Sequence, residues 1–115
     1  MKTIIRSVNE HKITFICGSN QDENHFLIQN SMENDLWFHA NDEPSPHVIG
    51  KIHDLNLTGK QHRKLIVQGI EVLKMQMKHS GQLKVVISLI KDIICLDKPG
   101  LVTFEAGTCQ KIILK

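Results

Sequence analysis

The sequence predicts a single α+β domain over residues 1–115, with a largely antiparallel sheet packed against one long helix. Three observations point there. Short β-branched and apolar runs separated by turn residues occupy both ends of the chain. One stretch in between, about residues 59–79, shows helical periodicity. A chain of 115 residues, 41% hydrophobic and 23% charged, suffices for one core but hardly for two, and its composition is that of a folded globular protein.

Residues 2–6 and 12–17 read as a hairpin, with Ser7 and Asn9 supplying the turn chemistry. A polar loop follows, in which Gly18 and Asn20 are suited to positive φ. His25 to Gln29 then reads as a strand. Asn30 to Asn34 reads as a polar connection able to hold a helical turn, with Ser31 as its cap. Val48 to Ile52 is expected as a strand that returns after a proline loop. Thr58 and Gln61 form a capping-box pattern at the start of the long helix, and Gly81 marks its stop. Ile66, Ile70, Leu73 and Met77 follow i, i+4, i+7, i+11 spacing, widened by Leu65 and Val72, so this stripe faces the sheet. Met75 and Met77 read as gap-filling core. Lys60, Arg63, Lys64, Lys74 and Lys78 decorate the other face around Glu71, a pattern common to solvated helix faces; Arg63 and Lys64 are the better phosphate candidates among them. Val85 to Ile90 is nearly continuous in apolar character, as in a central strand buried on both faces. Ile93 to Leu96 extends or re-enters the sheet, Lys98-Pro99-Gly100 turns, and Leu101 to Glu105 and Gln110 to Leu114 read as the last strands.

The chemistry concentrates in Asp35-Leu36-Trp37-Phe38-His39 and the following Asp42 to Gly50, which together hold the single tryptophan and two of the three prolines. In an extended conformation Leu36, Phe38 and Ala40 share one face, and Trp37 and His39 the other. Two readings stand side by side. Trp37 is either a second core contact with His39 as a polar neighbour, or, with His39, an aromatic and imidazole platform suited to stacking on a base. Pro44 and Pro46 exclude a central strand and stiffen the loop that leads to His47.

Net charge is only +2, so nucleic-acid affinity would have to come from a local patch. No phosphate-binding glycine loop, nucleophile elbow or zinc-protease helix motif is present, which lowers the expectation of an enzyme. His39, His47 and His53 with Asp35, Asp42 and Asp54 match no metal spacing. Cys17, Cys95 and Cys109 are odd in number and lie in or beside apolar segments, as expected of buried thiols in a reducing compartment. No apolar stretch is long enough to span a bilayer, and a cytoplasmic location is expected.

Asp35-Leu36-Trp37-Phe38-His39, then Asp42-x-Pro44, then His47-Val48-Ile49, resembles the signature of the NFACT-R domain. Gly18-x-Asn20-x-x-x-Asn24 resembles that family's upstream glycine-asparagine loop, and Lys98-Pro99-Gly100-Leu101-Val102 its late Pro-Gly turn. These matches run in order from Gly18 to the carboxyl end. Pro44-Ser45-Pro46-His47-Val48 stands where the family usually has Pro-Gly-Ser-His-Val, His25 stands where an aspartate is common, and the basic residue near the end of the His-Val strand appears as Lys51. The resemblance implies a non-catalytic RNA-binding module without cofactor or metal. Its partners would be tRNA or ribosomal RNA, and the large ribosomal subunit in a translation or ribosome quality-control setting. Large members carry further modules, so a partner protein supplying these is expected. The candidate RNA-contacting residues are Trp37, His39, Asp42, Pro44, His47, Asn20, Asn24 and Lys51 from these segments, joined by Arg63 and Lys64 of the long helix as phosphate contacts. Two other classes stay open: a protein-interaction or DNA-sensing adaptor, and an enzyme using the histidine and aspartate residues.

Overall fold

In the computed structural model, which describes residues 1–115, Lys2–Val8 (β1) and His11–Cys17 (β2) form the expected hairpin. Asn9 takes φ 54°, the left-handed conformation that a tight two-residue hairpin turn demands. The next element differs from expectation. Gln21–Gln29 is a helix (α1), and the segment His25 to Gln29 belongs to it rather than to a strand. Asn20 is its N-cap: the Asn20 side chain accepts from the Glu23 amide at 2.9 Å, and Glu23 in turn accepts from the Ser19 amide and hydroxyl. Neither Gly18 nor Asn20 takes positive φ. Gly18 is needed for space, because a Cβ there would run into the Asn24 side chain. Ser31 does not begin a helix; its hydroxyl donates to the Leu27 carbonyl at 2.6 Å and helps to close α1.

Leu36–Ala40 (β3) and Val48–Lys51 (β4) follow, then Gly59–Met77 (α2), Lys84–Leu89 (β5), Ile93–Cys95 (β6), Val102–Phe104 (β7) and Lys111–Leu114 (β8). Six strands make one antiparallel sheet in the order β1-β2-β4-β3-β5-β8. β4 and β3 occupy its middle. β5, expected to be central, lies one place further out with β8 beside it, and is nevertheless buried on both faces. β6 and β7 do not join this sheet but pair as a separate hairpin.

The period-two alternation of β3 divides the interior. Leu36, Phe38 and Ala40 enter a core with Ile13, Phe15, Leu65, Ile70, Leu73, Val85 and Ile87, closed by α2. Trp37 enters a second core with Leu27, Ile28, Ile49, Val86 and Ile90, against which Ile93, Val102 and Phe104 of the small hairpin pack. One face of the sheet is thus covered by α2, the other by α1 and the β6-β7 hairpin.

The capping box of α2 forms as the sequence implies, with Thr58 and Gln61 exchanging both bonds. The helix stops at Met77, two residues short of expectation, on Lys78 in the left-handed conformation, and Gly81 lies in the turn beyond. Met77 packs against the core, whereas Met75 is exposed and meets the Arg6 guanidinium. Cys17 is buried, but Cys109 is exposed, against the expectation of buried thiols; all three cysteines are free. No helix is long and apolar enough to cross a membrane.

Gly69 lets α2 come down directly onto the sheet, since a Cβ there would penetrate the Phe38 ring. Overpacking therefore outweighs the helix propensity that alanine adds. Gly69→Ala is expected to destabilise the domain by about 1–3 kcal/mol, measured as a lower urea midpoint at unchanged slope.

Candidate functional site

β3 carries Trp37 and His39 on the face opposite α2. Trp37 is 2% exposed, and its Nε1 donates to Nδ1 of His47 at 3.0 Å in the interior. That bond leaves the proton of a neutral His47 on Nε2. The backbone of His47 is held twice more: its amide donates to Asn24 Oδ1 at 3.2 Å, and its carbonyl accepts from the Gly18 amide at 3.0 Å. The close fit of Gly18 on Asn24 sets this arrangement.

The His39 ring lies flat on Trp37, with centroids 5.3 Å apart and planes 9° apart, and meets His47 edge-on at 4.9 Å. His39 Nδ1 lies 2.6 Å from the Ala40 carbonyl oxygen. A carbonyl only accepts, so Nδ1 carries the proton and Nε2 is left as an acceptor. Burial pushes the His39 pKa down, opposed by the Ala40 carbonyl and Glu43. Burial, and then the neighbouring His39, push His47 down to about 3, opposed by the Gly100 backbone. Both rings are therefore neutral at pH 7, with opposite tautomers.

These rings line a cavity of about 540 Å³ between the proline loop and the β6-β7 hairpin. Asn24, Asp42, Pro44 and Glu43 contribute to its wall, as do Gly100, Leu101 and Phe104. No lysine or arginine lines it. Asp42 is in the left-handed conformation at φ 63°, which turns the chain out of β3 into the proline loop. The Ser45 hydroxyl accepts from the Ala40 amide at 3.0 Å and donates to the Pro46 carbonyl at 2.9 Å, so the loop is tied back onto β3.

Of the residues singled out in the sequence, Trp37, His39, Asp42, Pro44, His47 and Asn24 come together here. Trp37 offers no open face: His39 covers one side, and Phe104 approaches at 5.8 Å and 68°. It braces the site, and His39 is the ring that meets the cavity. Asn20 is engaged in capping α1. Lys51, Arg63 and Lys64 are not part of the cavity lining. Lys51 reaches Asp35 at 3.3 Å and Ser31 at 3.1 Å, while Arg63 lies on α2, as does Lys64, which reaches Asn9 at 3.1 Å. The helix covers the opposite face of the sheet, so its cations cannot serve this corner.

Asp35 is fully buried and works as a pin. It accepts from the amides of Met32, Ile52 and His53 at 3.0, 2.9 and 3.1 Å, and meets Lys51 and the His53 ring, the latter at 2.8 Å. Burial raises its pKa, but the Met32 amide, the His53 ring and amide, and Lys51 outweigh it and hold the carboxyl below its usual range. His53 thus pairs with Asp35, while His39 faces His47, so the histidines and aspartates form no single cluster.

Sequence reasoning missed Glu43, Leu101 and Phe104 as site residues; it read a turn at Lys98-Pro99-Gly100 and a strand from Leu101, but not that this strand would pair with Ile93–Cys95 as a separate hairpin beside the site. It also passed over two lysines. Lys84 shares the face of Val86, a lining residue two positions away, and Lys98 sits in the loop that brings Gly100 and Leu101 to the cavity.

No protein-family model matches the chain, and no curated protein matches it. Among solved structures, the C-terminal part of the fibronectin/fibrinogen-binding protein from Streptococcus suis superposes with a TM-score of 0.76 at 24% identity, over 99% of this chain and 45% of that one. The chain thus spans less than half of that structure, and the likeness establishes the fold.

Two outcomes follow from the geometry. Trp37→Phe keeps an aromatic ring but leaves His47 Nδ1 buried without its donor, costing about 1–3 kcal/mol in urea unfolding. The second concerns pH. An unfolded histidine titrates at about 6.5, and the native pKa values of His39 and His47 are lower, so between these values the unfolded chain binds more protons. The contribution of this pair to stability is complete above the unfolded value and is lost as pH falls toward the native ones. Stability is expected to drop between pH 7 and 5, by at most about 1.4 kcal/mol per pH unit for each histidine, with a shallower slope in His47→Gln.

Proposed function

We propose that this chain is a non-catalytic RNA-binding module that takes an unpaired base of a structured RNA into the His39 cavity. Its RNA would be tRNA or ribosomal RNA, in a translation or ribosome quality-control role in the cytoplasm, as the resemblance to NFACT-R domains implies. The observation that carries the reading is the fixed pair of neutral histidines at a cavity of about 540 Å³. His39, backed by Trp37, supplies a flat ring for stacking. Its Nε2 and the carboxylates of Asp42 and Glu43 are acceptors suited to the amino edge of a base. Phosphates are excluded from the cavity by the same carboxylates, and Lys84 and Lys98 are the cations placed to meet the backbone outside it.

A second reading, a protein-interaction module, draws on Asp42 and Glu43 at a cavity without cations, which also suits a lysine or arginine side chain from a partner. The structurally similar protein is named for binding fibronectin and fibrinogen.

Fluorescence anisotropy with labelled tRNA and a short unstructured RNA, across a salt series, separates the two. His39→Ala is expected to weaken RNA binding by about 5- to 150-fold, the equivalent of ~1–3 kcal/mol for one stacked base. Lys84→Ala and Lys98→Ala each reduce the salt slope by about 0.7 for a single strand, while Lys64→Ala leaves it unchanged. A folded His39→Ala protein with wild-type affinity would remove the cavity from the RNA site. Absence of saturable binding to either RNA at about 50 mM salt would leave the protein-interaction reading.

A further inference from the structure

β8 is the outermost strand on its side of the sheet. Leu83 and Lys115 exchange both backbone hydrogen bonds at 3.0 Å, just beyond the Lys84 to Leu114 pair of the β5-β8 ladder. Antiparallel ladders alternate, so Ile113 and Lys111 also turn their amides and carbonyls toward β5. Those of Ile112 and Leu114 point outward, away from the sheet. These same two residues are each 58% exposed. They stand on the face of Val86, beside Lys84, whereas Lys111, Ile113 and Lys115 stand on the side of α2. Lys74 of α2 is also here, with Nζ 3.1 Å from the Lys115 carbonyl.

An edge with open backbone groups and two exposed aliphatic side chains is a template for another strand. A second copy of this chain fits it badly. Antiparallel self-pairing centred on Ile113 sets Ile112 against Leu114 of the other copy, but opposes Lys111 to Lys115 at both ends. Like charges directly opposite one another destabilise a strand pair. The surroundings are cationic as well: Lys74, Lys84, Lys111 and Lys115 cluster at the edge, and Asp92 is the one carboxylate lining the small hollow beside Lys111. Nucleic acid would satisfy the lysines but leave Ile112 and Leu114 uncovered.

We propose that the β8 edge binds an extended segment of a partner protein by strand addition, with the pattern acidic, aliphatic, any residue, aliphatic, acidic. The two aliphatic residues pair with Leu114 and Ile112 and exchange backbone hydrogen bonds with them. The flanking carboxylates lie opposite Lys115 and Lys111, the former on the side of Lys74. This surface lies outside the His39 cavity and does not depend on RNA binding.

The test is backbone amide hydrogen exchange and peptide titration on the 115-residue chain. The probe is a capped peptide with two valines separated by threonine and flanked by glutamates. Saturating peptide is expected to slow exchange at Ile112 and Leu114 by about tenfold or more, and to leave Ile113, already bonded to β5, unaffected. Leu114→Pro removes one outward amide without breaking the ladder to β5, and is expected to weaken the peptide by at least about tenfold. The double change Lys111→Glu and Lys115→Glu keeps both aliphatic residues and is expected to reverse the preference toward a lysine-flanked peptide. The proposal is overturned if saturating concentrations give no protection, or if a peptide with serines in place of the valines protects equally. It is also overturned if RNA protects these amides and the peptide does not.

Discussion

A single buried hydrogen bond, from Trp37 Nε1 to His47 Nδ1 at 3.0 Å, joins the middle strand of the sheet to the end of the proline loop. Neither group has water to fall back on, so each is held in place by the cost of leaving the other unpaired. The consequences spread outward. With Nδ1 of His47 occupied as an acceptor, its proton sits on Nε2, and the ring stays neutral. His39 is then stacked on the indole by geometry that Trp37 has already fixed. Asn24 of α1 and Gly18, the residue after β2, secure the His47 backbone, so three separate segments meet around one imidazole.

The same strand explains why the site and the cationic helix are strangers. Alternation along β3 sends Phe38 into the core beneath α2 and Trp37 into the core beneath the β6-β7 hairpin. Everything basic on α2 lies on the first side. The cavity, on the second side, is lined by aromatic, amide and carboxylate groups. A ligand there meets hydrogen-bond acceptors and a flat ring rather than a cradle of positive charge, which is why the proposed contact is with a base and not with a phosphate.

Two sheet edges remain open in this topology, and they are not equivalent. β1 presents one large exposed aliphatic residue, Ile5, whereas β8 presents Ile112 and Leu114 together, framed by lysines. Edge lysines guard against self-pairing of the sheet, and the same charges give the edge a preference for an acidic strand. Protection and recognition are here one feature read from two sides.

Local rules were enough for the β1-β2 hairpin, the Thr58 capping box, the apolar stripe of α2 and the two-faced character of β3, because each depends on residues close in sequence. They failed at α1, where Phe26-Leu27-Ile28 looks like a strand although Asn20 and Glu23 in fact signalled a helix start. They also failed at the end of α2, where Lys78 takes the left-handed conformation usually left to glycine and the Lys78 and His79 amides close the helix on the Met75 and Lys74 carbonyls. Proximity in sequence also said nothing of which cations would reach the site: Lys51 is drawn to Asp35, and Arg63 and Lys64 go with α2 to the far side. Strand alternation alone put Trp37 and His39 on one face, and the missing amides of Pro44 and Pro46 alone interrupted the sheet. That Trp37 is a brace and His39 the half-buried ring at the cavity came from the folded arrangement. That outcome depends on Phe104 and the β6-β7 hairpin arriving from some 65 residues away, and no local periodicity encodes a long-range contact of that kind.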